Sequence, residues 1–282
     1  MFDTEKMIDI LIPTVAQGLL WALLALGVYI TFRVLDIADL SVEGSFPLGA
    51  AVAATALVNG YGMLIAFFLA AIAGALAGIV TGFFTTRLKI PALLAGILTM
   101  IGLYSVNLHV MGKANVALLR VDTIFSYAES FGMSATVAML TVGVVAAVFI
   151  GCLMYWFFGT EIGTAIRATG CNSQMARAQG VNTNRMIVLG LLISNALVAL
   201  SGALVAQSNG FADVGMGTGT IVIGLASVII GEVLFGTKSF KNCLISVILG
   251  SIVYRLVIAV VLQLGMPPND LKLFTALLVA LA

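Results

Sequence analysis

Residues 61–84 read YGMLIAFFLAAIAGALAGIVTGFF and include no charged side chain. A helix needs about 20 apolar residues to cross the hydrocarbon core of a bilayer, so this stretch predicts a transmembrane helix. Small residues recur at every fourth position, on one helical face where a neighbouring backbone can approach closely. They are Ala66, Ala70, Gly74, Gly78 and Gly82. This stripe predicts tight helix packing and does not indicate a function.

The composition of the whole chain points the same way. Of its 282 residues, 61% are hydrophobic and 9% are charged, and the mean hydropathy is +1.17. A soluble domain of this length could not bury so much apolar surface, which excludes a soluble enzyme. The 13 basic and 12 acidic residues give a net charge of +1, and no basic tract occurs that would bind nucleic acid. The chain is therefore predicted to be an all-α, polytopic membrane protein.

Residues that carry catalytic or metal chemistry are scarce. The three cysteines, Cys152, Cys171 and Cys243, are far apart and form no CxxC pair, and His109 is the single histidine. This pattern supports neither a disulfide framework nor a zinc site. We also find no Ser/His or Asp/Asp set suited to catalysis. The sequence predicts no catalytic residue and no metal site.

Hydropathy divides the chain into about eight to ten transmembrane or re-entrant helices within one domain, residues 1–282. The segments are 8–32, 40–58, 61–84, 90–111, 132–158, 186–208, 215–236, 240–264 and 271–282. The last is too short to span a bilayer, because twelve residues rise only about 18 Å as a helix.

The basic residues of the loops predict the orientation. If the segments between them all cross, one side carries Arg33, Arg87, Lys89, Arg167, Arg177, Arg185, Lys238 and Lys241. The other side carries Lys6, Lys113, Arg120 and Lys272. The positive-inside rule places the first set in the cytoplasm, so residues 112–131, 209–213 and 265–270 are expected outside. Segment 40–58 contains glycine and proline and could instead be re-entrant, which would place the N-terminus in the cytoplasm.

Two glycine-broken stretches resemble each other, residues 38–50 and 212–224. Each begins with Ala-Asp, at Asp39 and Asp213, and runs into a glycine-rich helix start. Paired broken helices in corresponding halves of a chain are typical of internal repeats around a central pathway. A true repeat and a chance similarity of glycine-rich helix starts both remain open.

The longest polar segment on the cytoplasmic side is the loop at about 160–185. Asn172 or Ser173 can cap a helix, and Gly180 suits the left-handed position after a helix end. A two-turn helix is therefore expected at 173–179. A helix this short is not stable alone, so it needs a partner surface. An alternative is that it rests on lipid headgroups, although little of it is apolar beyond Met175 and its alanines.

This loop resembles the cytoplasmic loop of bacterial ABC importer permeases of the branched-chain amino-acid and ribose type. The resemblance rests on Gly163-x-Ala165-x-Arg167-Ala168, Ala176, Gly180-Val181-Asn182, Arg185-Met186, residues 200–204 and Gln207, and on the early stretch 33–50. In that family the loop forms a coupling helix that docks on the ATP-hydrolysing subunit. By analogy, Gly180 would end the helix and Arg167 would brace the loop. The residues that would contact the ATPase are Asn172, Met175, Arg177 and Gln179.

The resemblance also implies the partners and the location. It implies a separate ABC ATPase subunit, an extracytoplasmic substrate-binding protein, a second permease copy and the lipid of a bacterial cytoplasmic (inner) membrane. The chain contains no GxxxxGK[ST] motif, so ATP-Mg is expected on the partner subunit and no cofactor on this chain. Residues 39–46 resemble a subgroup accompanied by binding proteins for aromatic amino acids. Ribose, nucleosides and branched-chain amino acids remain open as cargo.

Ionisable and amide side chains at membrane depth are candidates for function. Glu232 and Arg255 lie in neighbouring segments and predict a structural ion pair. The candidates for the pathway or its gating are Asp39, Glu43, Asn195 and Asp213. The alternatives are a solvated helix start for Asp39 and Glu43 and hydrogen bonding between helices for Asn195. The alternative function is an ion-coupled secondary transporter, with Glu232 as its carboxylate.

Overall fold

The computed structural model describes residues 4–282, and α-helices account for most of them. The helices are α1 (Thr4–Tyr29, continued by a π-helical turn at Ile30–Val34), α2 (Val42–Val58), α3 (Met63–Thr86), α4 (Ala92–Met111), α5 (Ile124–Glu129), α6 (Ala135–Phe158), α7 (Glu161–Cys171), α8 (Ser173–Ala178), α9 (Thr183–Asn209), α10 (Thr220–Phe235), α11 (Phe240–Gln263) and α12 (Leu271–Leu281). Two short strands, β1 (Asn115–Ala117) and β2 (Phe211–Asp213), form an antiparallel ribbon.

Six of the described helices are long and apolar enough to cross a membrane: α1 with its π-helical turn, α3, α4, α6, α9 and α11. The shorter apolar helices α2 and α10 account for two further segments. This confirms the predicted all-helical membrane fold. Three elements were not predicted, namely α5, the ribbon, and the separate helix α7 within the polar loop. Segment 215–236 was predicted to be helical throughout. In the structure residues 214–219 form turns, and helix α10 begins only at Thr220.

Helix α1 lies at the centre of the molecule and is buried along most of its second half. Helices α6, α9, α10 and α11 surround it, and α9 in turn packs against α2 and α3. Glycines make these close approaches possible. A Cβ on Gly49 would overlap the backbone of Ala199, and one on Gly78 would overlap the Leu191 carbonyl. The small-residue stripe on α3 is therefore a packing face against α9, as expected.

Contacts between helix ends define two opposite faces of the bundle. At one face Arg33, after α1, pairs with Glu232, near the end of α10. At the other, the ribbon joins the loop after α4 to the loop after α9, and Gln17 donates a hydrogen bond to Ser208 at the outer end of α9. The N-terminal half of α1 therefore lies on the same side as the ribbon. If the face that carries Arg33 is cytoplasmic, as the basic loops predict, the first helix starts outside and α2 leads back to the outer face.

Two non-helical stretches interrupt the bundle at membrane depth. Residues 35–41 connect the cytoplasmic end of α1 to the start of α2, and residues 214–219 connect the outer ribbon to the start of α10. The two stretches therefore enter from opposite faces, as in inverted repeats. Their geometry is not identical, since α2 begins three residues after Asp39 and α10 seven residues after Asp213. A common origin of the two stretches stays a prediction.

Candidate functional site

A buried polar cluster joins the start of α2 to the middle of α9. Asp39 Oδ1 accepts hydrogen bonds from the backbone N–H and the hydroxyl of Ser41, and Asp39 Oδ2 accepts one from Asn195 Nδ2 at 3.1 Å. The Ser45 hydroxyl donates to Asn195 Oδ1. All four residues are fully buried. Neither Asp39 nor Asn195 therefore lines an open surface in this structure, and the cluster anchors the unwound entrance of α2 to α9.

The starts of α2 and α10 meet beside this cluster. Glu43, in the first turn of α2, accepts a hydrogen bond through Oε1 from the N–H of Gly219 at 3.3 Å. Gly217 packs directly on the Glu43 carbonyl and the Pro47 ring, where any side chain at position 217 would overlap both. Glycine at 217 is thus required for the two helix starts to approach.

Asp213 lies elsewhere. It pairs with Asn115 in the outer ribbon, and its Oδ1 accepts a hydrogen bond from the Gly215 N–H at 2.9 Å. The structure does not bring it together with Asp39 or Glu43. Its observed role is to shape the turn that leads into residues 214–219.

A cavity of about 420 Å³ opens beside Glu43, between α2, α4 and residues 214–218. Asn107 of α4 lines it and is 1% exposed. Asn107 Nδ2 donates to the Gly44 carbonyl at 3.4 Å, whereas Oδ1 has no hydrogen-bond partner within residues 4–282. Tyr104 and Thr218 also line the cavity.

Glu43 is only partly buried, and the described part of the chain offers it no cationic partner. It lies 15 residues before the outer end of α2, a rise of about 22 Å, and so at membrane depth. A carboxylate facing hydrocarbon there would be very costly. The Glu43 side of the bundle therefore faces water or another polar surface.

The predicted ion pair between Glu232 and Arg255 is wrong. Glu232 pairs with Arg33 at 2.8 Å. The Arg255 guanidinium lies 4.4 Å from the ring centre of Trp21, which itself stacks on Phe46. Helices α10 and α11 are antiparallel neighbours, and Glu232 is near the cytoplasmic end of α10 while Arg255 is 15 residues along α11. The two side chains therefore differ in depth by roughly two-thirds of the bilayer core.

The cytoplasmic loop forms two helices that are fastened in different ways. Helix α7 packs on the ends of two long helices, since Gly163 abuts the Phe157 carbonyl and Gly170 abuts the Val34 carbonyl. The Arg167 guanidinium lies 4.7 Å from the Phe240 ring centre. Arg167 therefore ties α7 to the start of α11.

Helix α8 projects beyond α7 and is held by its caps. Asn172 Oδ1 accepts from the Met175 N–H at 3.0 Å, so of the two predicted N-caps, Asn172 and Ser173, the structure has Asn172. At the other end Gly180 has φ +88°, and the Val181 N–H donates to the Ala176 carbonyl, which is the Schellman arrangement. Arg177 Nε donates to the Thr183 hydroxyl at 2.9 Å.

The outward side of α8 is open to solvent. Met175 is 53% exposed, and Asn172, Arg177 and Gln179 are exposed with it, whereas Ala176 is buried. A six-residue helix that is capped at both ends and carries an exposed methionine has the form of a small docking surface.

Sequence reasoning missed two features of the site. Asn107 is an amide inside an apolar segment, and that isolation was a usable signal. The meeting of Glu43 with Gly217 and Gly219 had only an indirect signal, the similarity of stretches 38–50 and 212–224, because the two helix starts are far apart in the chain and their contact depends on packing.

Residues 10–282 match the family model described as branched-chain amino acid transport system, permease component. The tyrosine transport system permease protein of Clostridioides difficile (strain R20291) is 41% identical over 270 residues, which is 95% of this chain and 88% of that protein. The uncharacterised protein RP368 of Rickettsia prowazekii (strain Madrid E) is 33% identical over 274 residues, 94% of this chain and 93% of that protein.

Among solved structures, the inward-facing conformation of an ABC transporter assigned to the metal-chelate type aligns with 99% of this chain and 87% of that chain. The TM-score is 0.49 and the sequence identity is 14%. Similarity at this level does not bear on function.

Proposed function

This chain belongs to the family of branched-chain amino acid transport system permease components, and we propose that its cargo is an aromatic α-amino acid, with tyrosine the first candidate. It is a multi-pass permease subunit of an ABC importer in the cytoplasmic (inner) membrane. It is a transport subunit and not an enzyme, and ATP is hydrolysed by a separate subunit. The relative that is 41% identical and named for tyrosine transport supports the choice of cargo.

The proposed coupling element is α8 together with its support α7. The exposed surface of Asn172, Met175, Arg177 and Gln179 would dock on the ATPase, which would carry ATP-Mg, while Gly180 ends the helix. Because α7 packs on the ends of α1 and α6 and contacts α11 through Arg167, a displacement of α8 would move three long helices together. Such rigid-body rocking of packed helices is a common route to alternating access.

The proposed pathway runs along the Glu43 face, between this chain and a second copy. A partly exposed carboxylate at membrane depth needs a polar surface opposite it, and a second copy facing the same cavity would enclose water there. The outer face would receive a substrate-binding protein near the ribbon, where Arg120 and Asp122 line a cavity of about 630 Å³. Lipid would cover the apolar outer sides of α3 and α6, which are largely exposed here.

The position of Glu232 argues against the alternative of an ion-coupled secondary transporter, for which it was the candidate carboxylate. Glu232 lies at the cytoplasmic end of α10 in an ion pair with Arg33, whose side chain is 51% exposed. It is therefore not placed to carry an ion across the middle of the membrane.

The coupling proposal is tested by co-purification of the ATPase from native membranes. We expect Arg177→Glu to lose at least nine-tenths of the bound ATPase. Thr183→Val removes the internal hydrogen bond of Arg177 but keeps its charge, so it separates docking from loop stability and is expected to retain most of the ATPase. Lys113→Glu makes the same charge reversal outside the docking surface. Normal ATPase recovery with Arg177→Glu would contradict the proposal.

The cargo proposal is tested in proteoliposomes that contain the permease, its ATPase and the cognate binding protein. ATP-dependent uptake of L-tyrosine, L-leucine and D-ribose is compared at equal concentrations. We expect L-tyrosine to accumulate at least tenfold faster than the other two. Preferential uptake of leucine or ribose would contradict the aromatic assignment while leaving the permease function intact.

A further inference from the structure

The cavity beside Glu43 combines three features that packing alone does not explain. Two residues that line it are Glu43, which has no cationic partner among residues 4–282, and Asn107, whose buried Oδ1 has no hydrogen-bond partner there; the cavity also has room of about 420 Å³. Buried polar atoms in proteins are nearly always satisfied, so the free oxygen of Asn107 points to a missing donor. Asn107 Oδ1 and the Glu43 carboxylate, which accepts one hydrogen bond from the Gly219 N–H, are both acceptors, and the second is charged.

We propose that this cavity is a transit site for the ammonium group of the transported α-amino acid, with Glu43 as its counter-ion and Asn107 as a second acceptor. The inference rests on the proposed amino-acid cargo. An ammonium has three N–H donors and no acceptor, which matches two acceptor side chains and excludes a carboxylate or phosphate group as the occupant. A sugar is a poorer match, because its hydroxyls leave the Glu43 charge uncompensated.

The cavity lies at the N-terminal ends of two helices, which explains why a carboxylate is needed there. The starts of α2 and α10 meet at Glu43 and Gly219, and helix N-terminal ends carry partial positive charge. Without Glu43, two such ends would repel an ammonium at membrane depth. Glu43 offsets that repulsion and lowers the cost of taking the ammonium out of water.

The first test compares Glu43→Gln with Glu43→Asp in the tyrosine uptake assay. Gln keeps the size and the acceptor for the Gly219 N–H but removes the charge, and Asp keeps the charge. We expect Gln to lower the amount of L-tyrosine imported per ATP hydrolysed by tenfold or more, with ATPase assembly unchanged, and Asp to stay within threefold of the native chain. Native coupling in Gln, or equal defects in Gln and Asp, would overturn the proposal.

Asn107→Leu is a nearly isosteric second variant that removes the free acceptor. We expect a several-fold loss of coupled uptake and no change in complex assembly. If Asn107→Leu transports at the native rate while Glu43→Gln does not, the assignment of Asn107 as a second acceptor fails.

A second measurement does not depend on transport or on Glu43 variants. Thr218→Cys is introduced into a chain whose three native cysteines are replaced by serine, and the complex is assembled. The rate at which an ammonium-bearing methanethiosulfonate modifies Cys at 218 is divided by the rate for a sulfonate-bearing methanethiosulfonate. Leu119→Cys, at an 86% exposed site, gives the intrinsic ratio. We expect the ratio at 218 to favour the ammonium reagent at least tenfold more than at 119. Equal ratios would overturn the site even if tyrosine uptake is normal. Absence of tyrosine uptake with an elevated ratio would instead overturn the cargo assignment.

Discussion

Substitution of Gly180 by alanine tests whether the left-handed turn that ends α8 contributes to binding of the ATPase. Gly180 has φ +88°, a region that costs an L-residue with a Cβ about 1–2 kcal/mol. No atom lies within 4 Å of the position a Cβ would occupy, so the substitution introduces strain without overlap. Helix α8 is short and exposed, and its last turn depends on the bonds from Gly180 and Val181 to the carbonyls of Arg177 and Ala176. We expect that turn to relax in the free permease.

Docking of the ATPase would then have to restore the native turn. The strain of about 1–2 kcal/mol sets the largest loss of affinity, which corresponds to roughly 5- to 30-fold in Kd, since 1.4 kcal/mol is tenfold. The assay is titration of labelled, nucleotide-free ATPase subunit onto the permease in nanodiscs. Gly180→Asn should recover part of the loss, because asparagine tolerates the left-handed region better than alanine. The midpoint of thermal unfolding of the transmembrane bundle should not change.

Gly112 provides the matched control. It has φ +71°, ends α4 on the opposite face, and also has no atom near the position of a Cβ. Gly112→Ala introduces similar strain far from the docking surface and should leave the Kd for the ATPase unchanged. Equal weakening by both variants, or an unchanged Kd for Gly180→Ala, would refute the reasoning.

Three further predictions concern the fold. Gly49→Ala forces a Cβ into the backbone of α9 and should lower the free energy of unfolding by about 1–3 kcal/mol, and with it the midpoint of thermal unfolding. Gly102→Ala is the control, because its Cβ meets open space and should not lower the midpoint. Equal midpoints for the two variants would contradict the packing of α2 on α9. Val116→Cys with Ala212→Cys should cross-link on mild oxidation, because directly opposed residues of an antiparallel pair lie within disulfide range; failure to cross-link, judged by limited proteolysis and gel mobility, would argue against the ribbon. Asp39→Ala removes the acceptor of three hydrogen bonds. The Ser41 hydroxyl can still donate to Asn195 Oδ1 and Asn195 Nδ2 to the Leu191 carbonyl, but the buried Ser41 N–H is left without a partner, at about 1–3 kcal/mol. Its folded yield in membranes should therefore fall below that of Asp39→Asn, which keeps the Oδ1 acceptor; equal yields would show that the cluster does not anchor α2.

Hydropathy and local capping chemistry were enough to predict much of this protein. The span of α3, its small-residue packing stripe and the membrane class all follow from residues close together in the chain, because insertion into a bilayer depends on the average apolarity of about 20 consecutive residues. The ends of α8 were predicted for a similar reason, since the Asn172 cap and the left-handed Gly180 act within one helical turn. The family resemblance rested on the same loop together with residues 200–207 and the early stretch 33–50.

Only the tertiary structure decided which distant side chains meet. Glu232 pairs with Arg33 and Arg255 stacks on Trp21, because the depth of a side chain depends on where its helix begins and on how it is set against its neighbours. The junction of Glu43 with Gly219 depends on two unwound stretches that enter from opposite faces. Hydrophobic patterning indicates which segments lie in the membrane. It does not fix the relative depth of two helices, because the hydrocarbon core is equally apolar along its thickness, so their relative depth is set by how they pack against each other.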